Sequence, residues 1–329
     1  MSSPMATPQS ALSALTARPT LRGHFEILRV DHWFKNVFVL PGVVAALALD
    51  PTNRAPHLWL RLALGLVAIC VLASGYYTLN ELLDAKFDRL HSTKHTRAAA
   101  AGRVHRPLAY LQCVALMAAG LALGAAISWR TAAALAVLAA FACAYNIPPV
   151  RTKDVRYLDV LTESVNNPLR LLLGWYIAGA VLIPPALLLL SYWMLGAYFM
   201  AMKRFAERRE IGDAARTGAY RKSLAAMSET QLLVSVSFYA AAAMLFFGAF
   251  IMRYRLELLL SFPFLAWVMA QYLAVGMQPH SPAQAPERLW REPALMIPVA
   301  FCTIAMLLCL WQPMPWLHRL TEPTIATQQ

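Results

Sequence analysis

Asn80, Asp84 and Asp88 recur at every fourth position of the stretch Asn80-Glu81-Leu82-Leu83-Asp84-Ala85-Lys86-Phe87-Asp88, so on a helix they share one face. The stretch closes a long apolar run, which places three oxygen side chains at a membrane boundary. Hard cations such as Mg²⁺ take oxygen ligands and usually share them with the phosphates of a substrate. A polar helix end frayed into solvent would give the same spacing. Bases follow the acids: Arg89, His91, Lys94 and Arg97. Such an order fits a metal diphosphate, with the acids on the metal and the bases on free phosphate oxygens. It also fits a solvated loop whose charges pair with one another.

A second cluster comprises Asp154, Tyr157, Asp159, Glu163, Asn166, Asn167 and Arg170. Asp159 and Glu163 share a helix face, and the polar stripe runs into an apolar segment instead of stopping at its mouth. Ionisable groups inside a span are costly and usually line a site or a water-filled cavity. An internal Glu163–Arg170 ion pair is the structural alternative; with two acidic faces available, a two-sided metal-diphosphate site is favoured. A third cluster, Arg29-Val30-Asp31-His32-Trp33-Phe34-Lys35-Asn36, opens the first apolar run, where Lys35 and Trp33 read most simply as interfacial anchors. The fourth is Lys203-Arg204-Phe205-Ala206-Glu207, followed by Arg216-Thr217-Gly218-Ala219-Tyr220-Arg221-Lys222-Ser223-Leu224. A basic loop with glycine and hydroxyls suits an anionic head group, and also matches an ordinary topology signal.

The elements that must position these clusters are membrane helices. Of the 329 residues, 59 % are hydrophobic and 14 % charged, against about 25 % charged in soluble domains. Nine apolar runs, near 34–50, 58–80, 107–128, 131–147, 158–182, 184–202, 228–251, 256–276 and 294–312, predict nine transmembrane helices. Basic residues concentrate before the first run and in alternate loops, which puts the N-terminus and the polar clusters in the cytoplasm and the C-terminus outside. The net charge of +12 is then a topology signal and not a sign of nucleic acid. Cys70, Cys113, Cys143, Cys302 and Cys309 all sit in apolar runs without a CxxC partner, so neither disulfides nor zinc are indicated. Residues 1–28 read as a flexible tail with an interfacial helix near Leu21–Leu28, residues 29–313 as the transmembrane domain, and 314–329 as a short tail. Residues 1–28 lack the apolar core of a signal peptide.

Together the clusters resemble the UbiA-type intramembrane prenyltransferase superfamily. The first acidic stretch is similar to that family's Asn-Asp-x-x-Asp-x-x-x-Asp motif, with Glu81 in the second place. The Asp159-x-x-x-Glu163 pair is similar to its other metal motif. Within the superfamily, the decaprenyl-phosphate phosphoribosyltransferase branch is the nearest likeness. Trp33, Lys35 and Asn36 match its Trp-x-Lys-Asn element. His91, Lys94 and Arg97 match its basic segment, although Ser92 and Ala98 replace two prolines. Asp159 and Arg170 keep its eleven-residue spacing, and Lys203–Glu207 and Arg216–Leu224 match its most specific pair. By contrast, Tyr145-Asn146-Ile147-Pro148-Pro149-Val150-Arg151 resembles a turn of the aromatic-acceptor prenyltransferases.

The resemblance implies nine helices around a central cavity open to the cytoplasmic side, in a bacterial inner membrane. It implies a Mg²⁺-dependent transferase that moves 5-phosphoribosyl from phosphoribosyl diphosphate to a polyprenyl phosphate. The alternative enzyme reading is prenylation of an aromatic acceptor from a polyprenyl diphosphate; a lipid-binding or transport protein is the alternative outside enzymes. Asn80, Asp84, Asp88, Asp159 and Glu163 would hold the metal, with Asp84, Asp88, Asp159 and Arg170 catalytic. Lys35, Lys94, Arg97, Arg151, Lys203, Arg204, Arg221 and Lys222 would contact substrate phosphates.

Overall fold

The computed structural model describes residues 18–89, 94–212, 218, 221–225, 227–284 and 286–322. His91 and Ser92, residues Arg216, Thr217, Ala219 and Tyr220, and the tail segments 1–17 and 323–329 lie outside the described residues. Among those described, all regular structure is helical. The chain divides into two compact units.

The first unit comprises Met1–Val44, Asn53–Val181 and Asp213–Ala226. It opens with a short helix α1 (Leu21–Glu26), capped by the Thr20 hydroxyl, which accepts from Gly23 N. A 3₁₀ segment (Val30–Val39) leads into α2 (Leu40–Leu49). Helix α3 (Leu58–Asp88) has 31 residues and is therefore about 46 Å long. A hydrocarbon core is about 30 Å thick, so α3 overhangs it by several turns. The polar residues Asp84 and Asp88 mark the overhanging end. Helices α4 (Arg106–Ile127) and α5 (Trp129–Asn146) follow, the second capped by Ser128 Oγ, which accepts from Thr131 N at 3.1 Å.

The fifth predicted span is not one helix. It forms α6 (Leu158–Ser164) and α7 (Asn166–Ala178), with the break at Val165. Pro168 explains the break. It carries no N–H for the carbonyl four residues back, and its ring clashes with that carbonyl. Two close approaches then fix α7 against the start of the chain. A Cβ on Gly42 would strike the Leu171 carbonyl, and one on Gly174 would strike the Val39 carbonyl. This crossing sets Asn36 beside Arg170. Gly174→Ala is expected to lower stability by about 1–3 kcal/mol through overpacking. Gly248→Ala, whose Cβ would meet only Phe262 at 3.7 Å, should be near neutral. Thermal unfolding of both variants in detergent checks the pair.

The second unit comprises Ala45–Thr52, Leu182–Gly212 and Met227–Gln329. It is built on α8 (Ala186–Ile211), α9 (Glu229–Tyr254), α10 (Phe262–Gly276), α11 (Pro293–Trp311) and α12 (Pro315–Leu320). A capping box starts α9: Ser228 Oγ accepts from Gln231 N, and Gln231 Oε1 accepts from Ser228 N. Arg208 and Arg209, at the end of α8, donate to the carbonyls of Met227 and Met277. At the other end of α9, buried Glu257 accepts from Met314 N and meets His318, each at 3.4 Å.

Seven helices among the described residues are long and apolar enough to cross a membrane. The protein is integral to a membrane. By that measure the predicted spans at 131–147 and 158–182 do not count, the second because it is interrupted.

Candidate active site

The overhanging end of α3 meets the turn after α5 and the segment around Arg221 in a cavity of about 240 Å³ within the first unit. Asp84, Phe87, Asp88, Lys94, Arg151, Lys153, Asp154, Gly218, Arg221 and Lys222 line it. Five cationic side chains thus face three carboxylates, a surplus suited to a polyanion.

Asp84 Oδ1 is the hub. It accepts from Lys153 Nζ at 2.6 Å and from Arg151 Nη2 at 2.9 Å. Lys153 Nζ also donates to Asn146 Oδ1 at 2.9 Å, and Asn80 Nδ2 donates to the same oxygen at 2.5 Å. Asn80 therefore orients the lysine through Asn146. Burial pushes the Lys153 ammonium below the usual lysine range, against the opposing pull of Asp84. Arg151 spreads over three partners, donating to Asp84, to Asp154 Oδ2 at 3.1 Å and to the Asn146 carbonyl at 3.2 Å. It also stacks its charge over the Phe87 ring, at 5.5 Å. Its backbone is left-handed, with φ 26°, a strained conformation for a residue with a Cβ.

The Lys94–Val104 segment is pinned beside these groups. Arg97 Nη1 donates to Asp88 Oδ2 at 2.8 Å, and Arg89 Nε donates to the Ala100 carbonyl. Glu81 is buried and accepts from Ala99 N at 3.0 Å. The acid in the second place of the motif thus holds the loop. Ala98, Ala99 and Val104 pack with Ile27, Leu82 and Ala85 in one apolar cluster, and His24 of α1 accepts from His105 N.

Asp159 does not line the cavity. It is 1 % exposed, accepts from Ser223 Oγ at 2.9 Å and lies 3.6 Å from Arg221. Arg221 also donates to the Tyr145 hydroxyl. Asp159 therefore anchors the segment that brings Arg221 and Lys222 to the cavity. Glu163 and Arg170 do not line the cavity either; Arg170 is buried and its Nε donates to Asn36 Oδ1 at 3.1 Å. Lys35 is half-buried, with its ammonium 6.0 Å from the Phe34 ring centroid. Lys203 and Arg204 belong to the second unit, where Arg204 Nη1 donates to Glu207 Oε2 at 2.8 Å and both side chains are buried.

Among the described residues, no three His, Cys, Asp or Glu side chains gather into a metal cage. The donor set nevertheless fits Mg²⁺. Asp84, Asp88 and Asp154 each answer their cations through one oxygen, Oδ1, Oδ2 and Oδ2 respectively. Each keeps a second oxygen for a ligand. An oxygen-only, incomplete set is what Mg²⁺ completes with water and substrate phosphates.

Residues 38–290 match the UbiA prenyltransferase family. The chain belongs to that family. It is a UbiA-superfamily transferase. The decaprenyl-phosphate phosphoribosyltransferase of Mycolicibacterium smegmatis is 30 % identical over 249 residues, 74 % of this chain and 75 % of that one. An uncharacterized Sinorhizobium fredii protein, y4nM, is 30 % identical over 48 % of this chain, a match that spans 29 % of y4nM. Among solved structures, a UbiA homolog from Archaeoglobus fulgidus bound to GPP and Mg²⁺ superposes with a TM-score of 0.64 at 18 % identity. That match covers 86 % of this chain and 99 % of the homolog.

In this UbiA-family chain, sequence reasoning missed Lys153 and Asn146 as site residues and left Asp154 undecided. Lys153 was hidden among topology cations. Only its placement two residues beyond Arg151 and one before Asp154 hinted otherwise. Asn146 sits in the Tyr145–Arg151 turn, where its role depends on a contact with Asn80, 66 positions away.

Proposed function

We propose that the protein transfers 5-phosphoribosyl from phosphoribosyl diphosphate to a polyprenyl phosphate and releases diphosphate. The observation that carries this reading is the cavity at Asp84, with three carboxylates that keep a free oxygen beside five cations. The Mycolicibacterium relative, named for that activity and similar over three quarters of both chains, supports the substrate pair.

Asp84 and Asp88 would hold Mg²⁺ with Asp154; Asn80, Asp159 and Glu163, the other metal ligands expected from the motifs, do not line this cavity. Bound Mg²⁺ would stabilise the charge that develops on the leaving diphosphate. Lys94, Arg97, Arg151, Arg221 and Lys222 grip its oxygens, arginine favouring two-pronged contacts. Lys35, Lys203 and Arg204 are the further phosphate contacts that the motif likeness implies. Asp159 contributes by holding Arg221 and Ser223. One C–O bond forms between the lipid phosphate and the anomeric carbon as the bond to diphosphate breaks. The attacking phosphate is already ionised near neutral pH, so no strong base is needed.

In this reading residues 29–313 form one transferase domain of nine spans, with α5 and the interrupted α6–α7 pair as the two added to the seven apolar helices. The lipid chain lies in a central apolar cavity open to the cytoplasmic side. The N-terminus is cytoplasmic, the C-terminus outside, and the membrane a bacterial inner membrane. The test is direct. Purified protein with Mg²⁺, labelled phosphoribosyl diphosphate and polyprenyl phosphate should move label into the lipid phase. Absence of labelled lipid, together with prenylation of 4-hydroxybenzoate from a polyprenyl diphosphate, would replace this reading with the aromatic-acceptor one.

A further inference from the structure

The second unit carries a cavity that the proposed transfer does not use. It measures about 460 Å³ and is lined by the end of α9, the start of the 3₁₀ turn Leu256–Ser261 and the end of α12. Helix α9 has 26 residues and is about 39 Å long, enough to cross a hydrocarbon core of about 30 Å. Arg208 marks the start of α9, where its Nε donates to the Met227 carbonyl. The cavity lies at the other end of that helix, at the opposite membrane boundary. Tyr254, Trp311 and Trp316 are exposed there, as in the aromatic belt of a membrane–water interface.

Arg253, Arg255, Glu257 and Glu322 bring two charges of each sign to the lining. Arg253 forms no hydrogen bond or ion pair among the described residues; its guanidinium lies 5.9 Å from the Tyr254 ring centroid. Arg255 donates from Nη2 to the Ala48 carbonyl at 3.0 Å and pairs with no carboxylate among the described residues. Glu257 is buried and already engaged, with Met314 N and His318 each at 3.4 Å. Glu322 forms no hydrogen bond or ion pair among the described residues. Opposite charges thus line one cavity without closing on one another. In the orientation proposed above this boundary is the outer one, where the positive-inside bias asks for no cation. Topology therefore does not account for the two arginines.

The mixture of signs narrows the ligand. A bare anion would face Glu257 and Glu322, and a bare cation would face the arginines. A group that carries both charges a short distance apart avoids both conflicts. Phosphoethanolamine, the head group of a zwitterionic phospholipid, is such a group. Its phosphate oxygens accept from arginine forks, and its ammonium donates to a carboxylate, which only accepts. Met252 and Leu256 add apolar wall beside the charges. We propose that this cavity binds the head group of a phosphatidylethanolamine-type lipid, with Arg253 and Arg255 on the phosphate and Glu322 on the ammonium. Glu257 is the positioning residue, since it ties the chain at Met314 and His318 to the cavity floor. A bound lipid fastens α12 to the end of α9. The assignment does not depend on which substrate pair the enzyme uses.

The experiment is titration of the delipidated full chain in detergent with three probes: dioctanoyl phosphatidylethanolamine, dioctanoyl phosphatidylglycerol and inorganic phosphate. Native mass spectrometry reads occupancy, and thermal unfolding checks the fold. The native chain should bind phosphatidylethanolamine saturably and in preference to phosphatidylglycerol. Arg253→Gln should weaken both lipids about tenfold. Glu322→Gln should weaken phosphatidylethanolamine alone, about threefold, and erase the preference. Arg319→Gln, at an exposed position of α12 outside the cavity lining, should change neither. The site is refuted if no lipid saturates, if Arg253→Gln is silent, or if Arg319→Gln weakens binding as much as Arg253→Gln does. Preference for phosphatidylglycerol, a silent Glu322→Gln, or inorganic phosphate that binds as tightly as the lipids would each overturn the zwitterionic head group and leave an anion site. Should Arg253→Gln fail to fold, the native preference and Glu322→Gln carry the test. None of these readouts involves turnover, so the outcome is separate from that of the label-transfer assay.

Discussion

Asp84→Ala is expected to abolish turnover and also to weaken the fold. Turnover should fall roughly thousandfold, because a group that stabilises leaving-group charge is lost. The stability effect follows from the partners of Asp84. Lys153 is 4 % exposed, and Asp84 is the acid that answers its ammonium, at 2.6 Å. Removing one partner of a buried pair costs about 3–5 kcal/mol, since the other charge is left behind. Arg151 suffers less, because it keeps Asp154. Lys153→Met in the Asp84→Ala background should therefore restore the unfolding midpoint without restoring activity. Thermal unfolding and the label-transfer assay on the single and double variants separate the two roles. Near-normal turnover by Asp84→Ala at saturating Mg²⁺ would sink the proposed metal site. Unchanged stability would mean that Lys153 finds another acceptor.

What was legible in the sequence had a local period or a long apolar run. The helical class, the membrane setting and the shared face of Asn80, Asp84 and Asp88 needed only spacing and composition. The interruption at Val165 was also written locally, in Pro168, but an uninterrupted apolar count passes over it. What stayed hidden depends on distant pairs. Asp159 reads as a metal ligand by its spacing to Glu163. Its actual neighbours, Ser223 and Arg221, lie more than 60 positions away. Glu81 reads as a motif acid, yet its oxygen accepts from the loop at Ala99. A one-dimensional pattern reports which chemistry is available. Which cation answers which acid is decided by how α3, the Tyr145–Arg151 turn and the Arg221–Leu224 segment pack within the first unit.

Neutralising Arg204 provides the second large effect, and its sign depends on Glu207. Both side chains are buried near the end of α8 and pair at 2.8 Å. Arg204→Met alone should cost a few kcal/mol, roughly, by breaking a buried ion pair, and a loss of activity would then say nothing about substrate. Arg204→Met with Glu207→Leu removes both charges and should fold. If Arg204 contacts the donor, as the phosphate-binding set proposes, this folded double variant loses a charge-assisted contact of about 1.5–3 kcal/mol. Donor KM should then rise about 10- to 150-fold, with the polyprenyl phosphate KM far less affected. Lys222 makes the useful comparison. Its side chain is 68 % exposed and 4.0 Å from Asp154, so solvent screens it. Lys222→Ala should raise donor KM by about tenfold at most and leave stability unchanged. Paired saturation kinetics for both substrates on the two variants decide the matter. A folded double variant with unaltered donor KM would make Arg204–Glu207 a structural pair. If Lys222→Ala were also silent and an aromatic acceptor were prenylated at a useful rate, the basic residues after α8 would be a topology signal alone. The aromatic-acceptor reading would then take the place of phosphoribosyl transfer.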